Sequence, residues 1–225
     1  MTTIDFYGAS TSNNYKVHLL FEELGITYNY KPVNISTGEQ FDKEFLKISP
    51  NNKVPAVVDH SFSPALTLFE SAAILTFYAD KENKLLPNQS RLRERADVLQ
   101  WLNWAGSGLS PFFGQFTHFT YFAPEKVPYA QTRYINELVR LLNVLDKQLQ
   151  DKDYVAANEF SIADICIWGW AVYLPYLGEP LGWNNQDQFV NIKKWLALID
   201  SRPTAKKVLV KVEEVLKSKT FKKIE

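Results

Sequence analysis

Through Asp80 the hydrophobic pattern keeps changing period. Thr3 to Tyr7 reads as a short strand, and Tyr15 to Leu24 as a helix with Val17, Leu20, Phe21 and Leu24 on one face. Gly25 suits the position just past the end of that helix. Tyr28 to Asn34 alternates Tyr28, Tyr30 and Val33 with polar neighbours and breaks at Ser36-Thr37-Gly38. Phe41 to Ile48 reads as a short helix ending before Ser49-Pro50, since the residue before a proline is biased away from helical geometry. Pro55 to Val58 and Leu66 to Phe69 are two strands joined by the turn-rich stretch His60 to Ala65, and Ala72 to Asp80 is helical again. The order βαβα followed by ββα predicts a small mixed sheet with one antiparallel hairpin.

After Leu85-Leu86-Pro87-Asn88 the texture becomes helical throughout. Leu92 to Trp104, Tyr129 to Leu149, Ile162 to Tyr173, Ile192 to Ile199 and Ala205 to Leu216 all carry helical spacing. Ser161-Ile162-Ala163-Asp164 is a capping-box variant with Ser161 as N-cap. Ala105-Gly106-Ser107-Gly108 and Pro111 are expected to bend or break the first long helix. The domain expectation is therefore residues 1–83 for an α/β unit, a linker over 84–89, and an all-helical unit over 90–225.

Composition narrows the function classes. With 225 residues, 46% hydrophobic, and 15 Phe, 11 Tyr and 6 Trp, the chain has material for a sizeable core. Lys+Arg and Asp+Glu are 25 each, so nothing in the bulk charge recruits nucleic acid or an anionic membrane. The Lys-rich end (Lys217, Lys219, Lys222 and Lys223) reads as a solvated helix end rather than a basic tail. A single cysteine, Cys166, excludes an intrachain disulfide and any CxxC motif; inside an apolar helix it reads as a buried, inert thiol. His18, His60 and His118 form no pair with metal-ligand spacing, so no metal is expected. A strand-like run by Ile4 leaves no room for a signal peptide, and no apolar segment reaches the length of a membrane span; a cytoplasmic protein is expected.

Candidate chemistry gathers in two places. In Asn52-Lys53-Val54-Pro55-Ala56-Val57-Val58-Asp59, the proline opens an apolar strand where it cannot donate to the ladder. With a cis Val54–Pro55 bond, Val54 turns its N–H and C=O away from the sheet, free to clasp a short peptide. In Leu68-Phe69-Glu70-Ser71 a strand runs into a helix, offering free N–H groups to a carboxylate and the Glu70 carboxylate to an amine. Taken alone, Ser71 reads better as an N-cap and Glu70 as a charge beside the helix dipole; Val54-Pro55 upstream tips the pair toward binding. A peptide clasp beside an amino-acid pocket is what a γ-glutamyl tripeptide requires. Such a tripeptide brings its own thiol, and lowering a thiol pKa by two units takes about 2.7 kcal/mol of differential stabilisation. A hydroxyl at a helix N-terminus supplies energy of that order, and Tyr7, Ser10, Thr11, Ser12 and Asn13 stand between the first strand and the first helix.

Together these features resemble the cytosolic glutathione transferases: a thioredoxin-like domain followed by a C-terminal helical bundle, over essentially the whole chain. The likeness is to the nu class of disulfide-bond reductases and the related yeast nitrogen-regulator prion protein. It is carried by Thr11-Ser12-Asn13-Asn14-Tyr15-Lys16, Gly38-Glu39-Gln40-Phe41, Phe45 to Pro55 and Leu68 to Ser71. The resemblance implies glutathione as co-substrate, with Glu70 on its α-ammonium, Ser71 on its α-carboxylate and Val54-Pro55 on its cysteinyl backbone. Thr11 and Asn13 become the thiolate donors, with Tyr7 left to core packing. Ser12 and Asn14 stand where the family often has Pro and Gly, so the choice between Thr11 and Ser10 stays open. Gln40, Asn52 and Lys53 fall near the ligand's glycyl end, and Arg133 matches an arginine that helps hold a glutathione pair; each is equally an ordinary surface residue. The aromatic run Phe112, Phe113, Phe116, Phe119, Tyr121 and Phe122 offers material for an acceptor pocket. The implied partners are a small disulfide or electrophile and a second copy of the chain. The alternatives are a non-catalytic regulator on the same fold and an ordinary conjugating transferase.

Overall fold

The structure is a computed structural model that describes residues 3–218. Strand β1 (Ile4–Gly8) leads into helix α1 (Ser12–Leu24), followed by strand β2 (Asn29–Pro32), helix α2 (Lys43–Ile48), strands β3 (Ala56–Asp59) and β4 (Leu66–Phe69), and helix α3 (Ser71–Lys81). The helical half comprises α4 (Leu92–Trp104), α5 (Ser110–Thr117), α6 (Pro128–Gln148), α7 (Ile162–Ala171), α8 (Leu174–Leu177), α9 (Val190–Asp200) and α10 (Pro203–Ser218).

The sheet has the order β2-β1-β3-β4, with β1 and β2 parallel and the other two pairings antiparallel. The expected hairpin is the β3–β4 pair, in register Ala56↔Phe69 to Asp59↔Leu66. All four residues of β3 are buried, as a central strand covered on both faces demands. Ile4 and Phe6 point toward α1 and α3 into the main core, whereas Tyr7 joins Val33, Phe45 and Ala56 in a smaller cluster on the opposite face.

Two elements depart from the sequence pattern. The stretch read as one helix from Phe41 is a tight 3₁₀ turn, Glu39–Phe41, separated by Asp42 from α2. Of the bend or break expected at Ala105–Gly108 and Pro111, the break does not occur. Ala105–Leu109 continues as a π turn, in which the Ser110 N–H reaches back to the Ala105 carbonyl. The hydrogen-bond register slips by one residue just before Pro111, which enters α5 at its first turn, where a missing N–H costs little. A second π turn, His118–Phe122, follows α5.

The halves interlock through α1, which packs against α3, α7 and α10. Its buried face carries Val17, Leu20, Phe21 and Leu24 as expected, with Leu19 added. Gly25 takes the left-handed position at its end, φ 70°. The capping box at the start of α7 forms: the Ser161 N–H donates to Asp164 Oδ2 at 3.0 Å, and the Ser161 hydroxyl accepts from the Ala163 N–H. Asp164 also accepts from Trp195 and from the Val155 N–H, so this one carboxyl joins three segments. Cys166 is fully buried on α7. No helix among the described residues is long and apolar enough to cross a membrane. Of the Lys-rich end, Lys217 lies 3.7 Å from Glu213; Lys219, Lys222 and Lys223 lie outside the described residues.

Candidate active site

A cleft runs between the sheet half and the helical half, as two adjoining hollows of about 450 and 680 Å³. Asn13, Lys53, Val54, Gly114 and Trp170 line both, so they form one continuous site.

The larger hollow holds the clasp. The Val54–Pro55 bond is cis, and Val54 lies before the first ladder residue, Ala56, so the sheet does not use its backbone groups. The loop before it is pinned by the Ser49 hydroxyl, which donates to the Lys53 carbonyl at 2.8 Å. Across the hollow Glu70 stands at the N-cap of α3 with φ 69° and ψ 113°, a backbone conformation costly for a residue with a Cβ. That geometry turns an exposed carboxylate, 3.4 Å from Asn51 Nδ2, beside the unconsumed N–H groups that begin α3 at Ser71. An amine and a carboxylate on one carbon fit this pair.

Two side chains here are oriented as hydrogen-bond donors, Thr11 in the smaller hollow and Asn13 where the two hollows meet. Thr11 is the N-cap of α1, and its hydroxyl accepts from Asn14 Nδ2 at 2.6 Å, which leaves the hydroxyl hydrogen for another acceptor. Asn13 Oδ1 accepts from the Trp170 indole N–H at 3.2 Å, which leaves its amide hydrogens for the cleft. The loop path depends on two glycines. A Cβ on Gly8 would stand 2.5 Å from Asn14 Oδ1, and one on Gly169 would stand 2.8 Å from the Ser12 carbonyl. Ser10 also lines the cleft, and its side chain acts on the Tyr15 phenol, opposing the upward pKa shift that burial gives it. Tyr7 sits on the far face of the sheet beside Phe45, and burial pushes its phenol pKa up.

The smaller hollow is the open half. Gln40, Asn52 and Lys53 rim it, and Gln40 Oε1 is buried with no partner among the described residues. Its wall is apolar and aromatic: Ile35, Phe113, Phe122, Trp170, Tyr173 and Leu177, with His118 at the edge. The rest of the aromatic run goes elsewhere: Phe116 is buried in the core, and Phe119 stacks on Tyr134 at 5.3 Å. The other histidines lie outside the cleft: His60 is exposed 3.2 Å from Asp5, and His18 is buried against Tyr28, where burial lowers its pKa to about 3. Arg133 stands apart. It is exposed on α6 beside Tyr129, Glu137 and Arg140, and within one chain it does not reach this cleft.

Pattern reading missed Lys16, Ser110 and Trp170. Lys16 left a signal, a cation on an otherwise buried helix; Ser110 and Trp170 reach the cleft only through the π turn and the α1–α7 packing.

Residues 2–80 match the family model "Glutathione S-transferase, N-terminal domain" and residues 109–203 the model "Glutathione S-transferase, C-terminal domain". The chain belongs to the glutathione S-transferase family. It is 41% identical over 217 residues to disulfide-bond oxidoreductase YfcG of Escherichia coli, covering 93% of this chain and 96% of that one. It is 41% identical over 218 residues to a glutathione S-transferase domain-containing protein of Dictyostelium discoideum, covering 95% and 83%. Among solved structures, a glutathione transferase family member from Pseudomonas fluorescens with two glutathione bound superimposes with TM-score 0.86, at 37% identity and 92% coverage of both chains. One from Pseudomonas putida, with one glutathione disulfide bound per subunit, gives 0.85 at 35% identity, covering 92% and 91%.

Proposed function

We propose that this chain is a glutathione-dependent thiol–disulfide oxidoreductase that activates the glutathione thiol for attack on small disulfides. The observation that carries this is the pairing of a peptide clasp (Val54, Pro55, Glu70, Ser71) with two donors in the adjoining cleft, Thr11 in the smaller hollow and Asn13 where the hollows meet. Glu70 holds the α-ammonium, and Ser71 the α-carboxylate. Val54 pairs with the cysteinyl backbone, and Gln40, Asn52 and Lys53 face the glycyl carboxylate.

The thiol proton leaves to solvent, and the thiolate, stabilised by Thr11 and Asn13, attacks one sulfur of the disulfide. A sulfur–sulfur bond forms to glutathione while the substrate's bond breaks, and the leaving thiolate takes a proton from solvent. A second glutathione thiolate attacks the mixed disulfide at the glutathione sulfur, giving glutathione disulfide and the second reduced thiol. Two glutathione molecules are oxidised as one disulfide is reduced. No protein cysteine takes part, consistent with the burial of Cys166. A reducing compartment such as the cytoplasm supplies the glutathione this consumes.

A homodimer fits the exposed face of α6, where Tyr129 is 78% exposed beside Arg133. Across such an interface Arg133 gains a role in a glutathione site that it lacks within one chain. The aromatic wall of the smaller hollow favours a second reading, conjugation of glutathione to aromatic electrophiles. Turnover of 2-hydroxyethyl disulfide against a chlorodinitrobenzene-type electrophile, with binding to immobilised glutathione, separates the readings. Faster disulfide turnover is expected. Binding without turnover of either substrate fits a regulator, and no binding overturns the assignment.

A further inference from the structure

Lys16 carries a charge that neither packing nor pairing accounts for. It lies on α1 three residues after Asn13, so the two side chains share a helix face. The residue is 1% exposed, and its stem lies against Gly169 of α7, where a Cβ would stand 2.5 Å from Lys16 Cγ and 3.3 Å from Cε. The ammonium donates to Ser110 Oγ at 3.0 Å, and no described carboxylate forms an ion pair with it. An ammonium has three donors, and this protein–protein bond uses one. A methionine would fill similar volume without the cost of desolvating a cation, so filling space does not explain the charge. Lys16 and Ser110 both line the larger hollow, with Asn13 and Ser71. The Ser110 hydroxyl, which accepts from Lys16, keeps its own hydrogen for the cleft.

We propose that Lys16 is a positioning residue for the thiol chemistry, its ammonium held by Ser110 beside Asn13 so that the bound glutathione sulfur is biased toward thiolate. This rests on the glutathione reading above. The thiol proton still goes to solvent, and the Lys16 ammonium takes no part in the transfer. The other titratable groups facing the cleft are Glu70 and Lys53 on the sheet side, His118 after α5 and Tyr173 after α7. At the far end of α1, Glu22 and Glu23 pair with Lys207 and Arg202, and Asp164 at the start of α7 serves Val155, Ser161 and Trp195. None of those acids neutralises Lys16.

The test is the pH dependence of the ultraviolet thiolate absorbance of glutathione bound to wild type, Lys16→Met and Ser110→Ala, alongside the affinity of each for S-methylglutathione, which has no thiol. Lys16→Met is expected to raise the bound thiol's pKa by about one unit, a tenfold loss of thiolate below that pKa, with S-methylglutathione affinity kept. Ser110→Ala is expected to move it the same way by less. An unchanged thiol pKa in Lys16→Met overturns the proposal, as does an equal loss of S-methylglutathione affinity, which makes Lys16 a carboxylate anchor. If Lys16→Met does not fold, Ser110→Ala decides, and an unmoved pKa there overturns it. Wild type that binds neither ligand overturns the glutathione reading itself, a separate outcome.

Discussion

At the scale of single residues, the site turns on which hydrogen each polar group has left to give. Thr11 spends its acceptor capacity on Asn14 and Asn13 spends its carbonyl on Trp170, so both face the cleft as donors. Thr11→Ala is expected to cut disulfide turnover at least tenfold while leaving glutathione affinity within a few-fold, about 1.4 kcal/mol or more lost from the reaction and little from binding. If Ser10→Ala is the damaging substitution instead, the donor assignment moves by one residue. Glu70→Gln is expected to do the reverse, weakening glutathione binding by about 1.5–3 kcal/mol in a titration, the range of a charge-assisted hydrogen bond. The geometry of the proposed clasp was legible in the sequence because Val-Pro and Glu-Ser are local signals tied to strand and helix ends. The donors were legible only as a group of candidates. Separating Thr11 from Ser10 needs the contacts with Asn14 and Tyr15, which no spacing rule contains.

At the scale of elements, α1 holds the halves together at both ends. Its N-terminal turn meets α7 at Gly169, and its C-terminal turn is latched to the start of α10 region by Glu23. Arg202 grips that carboxylate with two hydrogen bonds of 2.7 Å, and the Thr204 hydroxyl adds a third. Burial works against the Glu23 charge, but these bonds and the Arg202 charge outweigh it and hold its pKa below 4.5. A carboxyl whose folded pKa is depressed contributes stability above its unfolded pKa and loses it as pH falls through the folded value. Thermal melts of Glu23→Gln are therefore expected to show a loss of about 1–2 kcal/mol near neutral pH, moderated because Arg202 keeps 29% of its side chain in solvent. The gap to wild type should close as pH drops below about 4.5; a gap that stays constant would mean the latch is packing rather than charge. Element positions were largely readable from periodicity: the Tyr129 to Leu149 reading, for instance, is α6 within a residue at each end. The π turn at Ala105–Leu109 was not, because Gly106, Gly108 and Pro111 each signal a break locally. Only the neighbouring helices keep the chain helical through it.

At the scale of the molecule, the cleft belongs to neither half alone, since the clasp comes from the sheet side and the acceptor wall from the helices. The glutathione-binding half was more legible than the acceptor half, because motifs encode the first and tertiary packing of Phe113, Phe122, Trp170 and Tyr173 builds the second. Light scattering is expected to give a mass of twice the 25.9 kDa chain, in keeping with the exposed α6 face around Tyr129 and Arg133. A monomer would leave Arg133 without the role proposed for it. The central claim is that the glutathione thiol, and no thiol of the protein, does the chemistry. Reduction of 2-hydroxyethyl disulfide by wild type and by Cys166→Ala, followed against glutathione concentration, tests it most directly. The expected result is saturable turnover of similar rate in both proteins. Turnover that disappears with Cys166, or its absence in a wild-type protein that binds glutathione, would contradict it.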